Sequence, residues 1–411
     1  MDDMMGLLPQ IKVGTDLISE MSVLPLYDEE IRSQSVATRL IALSEIYNIY
    51  VPSSMSVEIY SKLYLALLRS LQKKNGRDAR IQQNENHKCI YRQGGNSILG
   101  GADSFTITGC SGIGKSSAIN RAIELVSANG IMETEKPYSR IIPCVVVQCP
   151  FDCSVKGLLL EILRRVDELL GSDYYPQALR SRVTTDMLIG CVSQVSLNHI
   201  GLLVVDEIQN VVNSKNGKLL VGMLTQLINN SGISIGMVGT PECVPFFEQA
   251  MQLARRSLGL QYGPVEYDSF FYDFCQTLFG YQYTIHKTEA TEALVQWLYE
   301  HSGGVLSVVV SLIHDAQEIA ILNGVEELNM QTLNEAYKKR LTMLHGYVQP
   351  SMGRKIQNSV RQGKAELPVS EEFSSRDSAE IIAQTVAMAK EKGVDVIELL
   401  HEKISVEVIA I

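Results

Sequence analysis

No apolar run in the 411 residues approaches the ~20 needed to cross a bilayer, and the opening "MDDMMGLLPQ" lacks the basic segment and long apolar region of a signal peptide. A cytoplasmic protein with no membrane partner is therefore expected. Paired C-x-x-C spacing is also missing: the 8 cysteines are spread singly along a chain long enough to bury its own core, which disfavours a disulfide framework. Cys149 and Cys153 sit close together with His87 and Cys89 far upstream, but thiols that merely pack are expected there rather than a zinc site. An excess of basic residues is absent as well, and the formal net charge of -10 excludes a surface that wraps phosphate over its whole extent. Any nucleic-acid contact must be local. Internal repeats and low-complexity tracts are not found.

What is present is an ordinary globular composition, 45% hydrophobic and 20% charged, in a chain longer than one compact domain usually runs. Within it, "ITGCSGIGKSSAINRA" matches G-x-x-x-x-G-K-[ST], the phosphate-binding P-loop. The context is the required one, since "SFTITG" reads as a strand and "SSAINRAIELVSANG" carries Ala118, Ile119, Ala122, Ile123 and Val126 at helical spacing. Glycines let backbone N–H groups turn inward around phosphate oxygens, and the following helix N-terminus adds a favourable dipole. The nucleotide cradle is thus Gly109, Cys110, Ser111, Gly112, Ile113, Gly114, Lys115, Ser116 and Ser117. Lys115 neutralises the β- and γ-phosphates of ATP, and the Ser116 hydroxyl joins a magnesium shell.

A second apolar run, Leu202 to Val205 in "GLLVVDEIQN", predicts a buried parallel strand ending in Asp206 and Glu207. Downstream of a P-loop this is a Walker B motif: Asp206 holds the magnesium and Glu207 polarises the attacking water. A third strand, "ISIGMVGTPE" (233–242), ends near Thr240, which either reads the γ-phosphate or caps the turn before Pro241. With "IIPCVVVQC" these runs predict an α/β fold, an open and mostly parallel sheet flanked by helices, with nucleotide at the strands' carboxyl ends. "PECVPFFEQAMQLARRSLGL" is expected to be helical, "KKNGRDARIQQNENHK" an exposed loop, and the stretch after His286 a purely helical lid. The expected division is an N-terminal extension facing partners (1–95), an ATPase core (96–284), a helical lid (285–346), and a linker with a helical partner-binding tail (347–411).

The order "GCSGIGKSS", "DCS", "LGSDY", "GLLVVDEIQN", "GTPE" and "ARRSLG" resembles the AAA+ transposition regulators of the TnsC and TniB type, closest to the TnsC branch, over roughly residues 20 to 345. "LPLYDEE" and "YVPSS" resemble that branch's N-terminal region. The resemblance implies an ATPase that oligomerises on double-stranded DNA as a ring or helical filament, answers to a target-selection protein, and recruits and activates transposase subunits. It further implies an arginine finger for the neighbouring subunit's γ-phosphate, from Arg255 or Arg256, although two arginines on a surface helix are also commonplace. Lys156, in the segment after the second strand, is the first candidate for a DNA-phosphate contact, with Arg180, Arg182 and Thr184 behind it; each is also compatible with a solvated surface residue. Ser307 stands where many AAA+ lids carry a second-sensor arginine. Two competing readings are a secretion or origin-recognition ATPase and a nucleotide-switched signalling scaffold. The first wants a membrane-spanning, peptidoglycan-binding or winged-helix segment that the sequence does not show, and the second has no need of the complete Asp206–Glu207 pair.

Overall fold

Apolar runs too short for helices and bounded by polar turns become the sheet. The computed structural model describes residues 5–74, 76–91, 96–99, 104–135, 138–180, 183–249 and 257–340. Among them six strands form one sheet: β1 (Ser104–Gly109), β2 (Met132–Glu135), β3 (Tyr138–Gln148), β4 (Ile200–Asp206), β5 (Ser234–Gly239) and β6 (Ser257–Tyr262), in the order β2-β3-β4-β5-β1-β6. β2 turns back antiparallel on β3, and every other pairing is parallel. The register sets Thr108 beside Gly239 and Gln148 beside Asp206, so the carboxyl ends of β1, β3, β4 and β5 share one edge.

The helices, in chain order, are α1 (Gly14–Met21), α2 (Val36–Leu43), α3 (Ser54–Lys74), α4 (Arg77–Ile90), α5 (Lys115–Val126), α6 (Val155–Leu170), α7 (Tyr174–Arg180), α8 (Thr185–His199), α9 (Asn210–Asn213), α10 (Gly217–Ser231), α11 (Val244–Gln249), α12 (Ser269–Phe279), α13 (Glu292–Ser302), α14 (Leu306–Leu322) and α15 (Met330–Arg340). Strand side chains alternate between two layers. Leu203 and Val205 join Leu159, Ile162, Val192, Leu224 and Leu227 under α6, α8 and α10; Leu202 and Val204 join Ile59, Leu63, Leu67 and Ile119 under α3 and α5. Burial on both faces is why this strand reads as an uninterrupted apolar run rather than an alternating one. The fold is that of an α/β core with a helical lid, the lid being a third cluster around Phe271, Leu298, Leu312 and Leu333.

Two segments differ from their sequence reading. The polar stretch expected to be a loop is α4, which packs on α8 and uses its polar side chains internally: Gln82 Oε1 accepts the Ile98 and Leu99 N–H groups at 2.7 and 3.3 Å, Glu85 Oε2 accepts Asn96 N–H at 2.9 Å, and Asn86 donates to Asn230 O at 3.1 Å. A helix whose buried face is satisfied by hydrogen bonds leaves no apolar stripe to read. The run expected to be one helix through Leu260 is a short turn at Pro241–Cys243, α11, and then β6 paired along β1. The stretch before the P-loop is built into both layers: Leu17, Met21 and α3 pack on the core, while Leu43, Ile46 and Ile49 belong to the lid cluster.

Buried Arg39, on α2, fixes that second attachment. Its guanidinium meets Glu326 at 2.6 and 2.7 Å and donates to Tyr283 O at 3.0 Å, the bidentate geometry that makes an arginine–carboxylate pair strong. Tyr27 donates to Gln282 O at 2.5 Å, and Tyr281 returns a bond to Pro25 O at 3.0 Å.

Candidate functional site

β1 delivers Gly109 to the sheet edge and α5 begins at Lys115, so the loop between them turns its backbone around the start of a helix. The Lys115 ammonium folds under the loop and donates to Gly109 O at 2.6 Å and Cys110 O at 2.7 Å. Burial pulls this lysine below its ordinary range, and Cys110, Asp206, Glu207 and Cys243 push it back up. Gly112 has φ +82° and lies so close to the lid that a Cβ there would meet Ser307 Oγ at 2.3 Å. In return the Ser307 N–H donates to Gly112 O at 3.1 Å, so the first turn of α14 docks directly on the phosphate loop.

Asp206 closes β4, and Glu207 follows with φ +56°, a left-handed backbone uncommon for a residue with a long side chain. That turn is held at several points. Glu207 N–H donates to Asp206 Oδ1 at 2.8 Å, Ile208 N–H to Val238 O at 2.9 Å, and Cys149 N–H to Asp206 O at 2.8 Å. Gln209 donates from Nε2 to Glu207 Oε2 and accepts Thr240 N–H on Oε1 at 3.3 Å. The Thr240 hydroxyl donates to Glu242 at 3.1 Å and makes no cap bond to the turn at Pro241.

These groups converge on a cavity of about 440 Å³. Its lining combines residues 111–117, Asp206, Glu207, Gln209, Gly239 and Thr240 with Tyr47, Ile49, Tyr50, Val51, Phe274, Leu306 and Val310 from the N-terminal stretch, α12 and α14, and with Ser53, Ser56, Ser307 and Ser311 on the same segments. Phosphate-loop groups together with aromatic and aliphatic side chains fit a nucleotide, with its triphosphate and its flat base. The donor set also fits a magnesium ion: a hydroxyl at Ser116 and a carboxylate at Asp206 face the same space, and hard oxygen ligands are what that ion takes.

The structure thus brings residues 111–117, Asp206, Glu207 and Thr240 together on one cavity, while Gly109 and Cys110, also expected in the cradle, do not line it and instead accept the Lys115 ammonium. The apolar part of the lining and Gln209 were missed, since Tyr47–Val51 lies about sixty residues upstream of the loop whose cavity it shares and carries no motif beyond its likeness to the "YVPSS" pattern. Arg255, Arg256 and Arg182 lie outside the described residues. Cys149 and Cys153 are buried, burial pushes the Cys149 thiol up, and His87 is exposed on α4; these residues form no metal-holding group among the described residues.

Lys156 is exposed in the first turn of α6, which Ser154 caps by accepting Gly157 N–H at 3.1 Å. The loop before it carries Phe151 at 91% exposure and is pinned to a second loop, because Ser214 Oγ and Asn216 Nδ2 both donate to Asp152 O at 3.1 Å. Lys215 and Lys218 are exposed on that second loop and the start of α10. Thr184 accepts Met187 N–H as the N-cap of α8, and Arg180 is exposed at the end of α7.

A mostly parallel sheet with a phosphate loop after β1, an acidic pair ending β4 and a helical lid docked over the same edge defines the AAA+ ATPase fold. Residues 98–247 match the family model described as an AAA domain. Comparison with curated protein sequences finds no match. Solved structures similar to the chain include the Aeropyrum pernix ORC1 protein in complex with DNA (13% identity, 81% of this chain and 78% of that one, TM-score 0.42) and the ADP form of the Aeropyrum pernix ORC2 protein (16% identity, 65% and 68%, TM-score 0.37). AMPPCP-bound DnaA from Aquifex aeolicus is similar at 12% identity over 79% of this chain and 83% of that one, with a TM-score of 0.33.

Proposed function

We propose that the protein is an ATP-dependent transposition regulator of the cytoplasm. It binds and hydrolyses ATP, oligomerises on double-stranded DNA as a ring or filament, and links a target-selection protein to recruitment and activation of transposase subunits. The observation that carries the ATPase part is the convergence of Lys115, Ser116, Asp206, Glu207 and Thr240 on one cavity. The transposition part is supported by the likeness of "GLLVVDEIQN", "GTPE" and "ARRSLG" to the TnsC branch.

In this reading the loop N–H groups and Lys115 hold the phosphates, and Glu207 accepts the proton of the water that attacks the γ-phosphorus, a role worth about 10²–10⁴ in rate. Ser116 and Asp206 would hold a magnesium ion, which supplies charge neutralisation at the β- and γ-oxygens. Arg255 or Arg256 reaches a neighbouring subunit's nucleotide. Lys156 contacts DNA phosphate; contacts repeated along an oligomer accumulate avidity and let a chain of net charge -10 bind a polyanion. The tail at 347–411 serves partners.

The test is negative-stain microscopy of the protein with duplex DNA, comparing a slowly hydrolysed ATP analogue with ADP. Regular rings or filaments on DNA with the analogue alone are expected. Particles indifferent to DNA in both states would overturn the reading.

A further inference from the structure

The turn after Asp206 contains a side chain with both ends of its amide committed. Gln209 donates through Nε2 to the Glu207 carboxylate and accepts the Thr240 N–H on Oε1. The two contacts fix which way round the amide lies: flipped, its oxygen would face a carboxylate and its N–H₂ would face an N–H donor. Space for the amide comes from Gly239, where a Cβ would stand 2.8 Å from Gln209 Oε1 and 2.9 Å from Ile208 Cγ2. The residue thus ties the end of β4 to the end of β5 through side-chain atoms, inside the cavity that Ser116, Asp206 and Lys115 also line. Glu207 itself is exposed and leaves the strand through a left-handed backbone, and the Gln209 amide is the side-chain group that holds its carboxylate.

We propose that Gln209 is a positioning residue for Glu207, holding the carboxylate in line with the γ-phosphate and registering it against the β5 end at Thr240. The proposal rests on the reading of Glu207 as the base for ATP hydrolysis. Gln209 touches no reacting atom in this scheme; it removes rotational freedom from a side chain that must be within hydrogen-bond reach of one water. Because the amide grips Thr240 by its oxygen and Glu207 by its nitrogen, the two halves of the role are chemically separable.

The experiment uses the full chain with Mg-ATP. Gln209→Ala, which removes both bonds, is expected to lower kcat about tenfold while ATP affinity, read with a fluorescent nucleotide, stays within about twofold. Gln209→Glu keeps the acceptor for Thr240 N–H but sets a like charge against Glu207, and is expected to be at least as slow as Gln209→Ala. In a Glu207→Gln background, Gln209→Ala is expected to have little further effect, since a residue that acts through another adds nothing once the other is gone. A Gln209→Ala kcat within about twofold of the parent would overturn the proposal. So would a Gln209→Glu variant as active as the parent, or a loss of equal size in the Glu207→Gln background; that last result is what a merely structural role gives. If the parent itself fails to hydrolyse ATP, the reading of the site falls first and Gln209 with it. An active parent with indifferent Gln209 variants removes only the positioning role.

Discussion

In the proposed mechanism Lys115 holds phosphate and Glu207 reacts, and substitution should separate the two. Lys115→Ala removes the ammonium that lies under the phosphate loop and should abolish ATP binding, measured by a fluorescent nucleotide or by calorimetry. Glu207→Gln keeps the shape and the Gln209 neighbour and should retain binding while hydrolysis falls by about 10²–10⁴, read as phosphate release. The placement of both at the cavity was legible in the sequence because a local pattern marks it: glycines and a lysine between strand and helix, or two acids at a strand's end. Gln209 stood within "DEIQN" but could not be assigned, since its role depends on Thr240, a residue on another strand. Tyr47, Phe274 and Val310 were illegible for the same reason, because an apolar pocket assembled from three distant segments has no spacing to detect.

At the scale of elements, apolar runs located β1, β3, β4 and β5 well, since a strand buried on both faces writes its burial directly into composition. α4 hid because its buried groups are Gln82, Glu85 and Asn86, and β6 hid because it follows a helical pattern without a clear break. The attachment of α2 to the lid offers a stability test. Arg39 is 2% exposed and bonded to Glu326 at both nitrogens, so Arg39→Ala leaves a carboxylate without its partner and should cost about 3–5 kcal/mol, measured by chemical denaturation. The Arg39 hydrogen bonds, and with them Ile285 N–H, hold the Glu326 carboxyl below the ordinary range against the effect of burial. A carboxyl with a lowered folded pKa stabilises above its unfolded value, near 4.3, and that contribution is lost as pH falls through the folded value. The parent should therefore lose stability below about pH 4 more steeply than Glu326→Gln does.

For the whole molecule, DNA binding should depend on few charges per subunit. Lys156→Ala should weaken duplex binding and lower the slope of log K against log salt by about 0.9 per lost phosphate contact, measured by fluorescence anisotropy across salt concentrations. An unaltered slope would remove Lys156 from the interface. The path of the first residues has a different consequence. Residues 54–74 are seated on the sheet, residues 36–49 on the lid, and between them Tyr50, Val51 and Ser53 line the cavity. A protein that gripped this strap and moved it would alter the lining of the cavity. By linkage, whatever factor a protein gripping residues 24–49 imposes on nucleotide affinity, the nucleotide imposes on that protein's affinity in return. Leu26 and Ile41, both exposed on that stretch, are where such a grip would take hold.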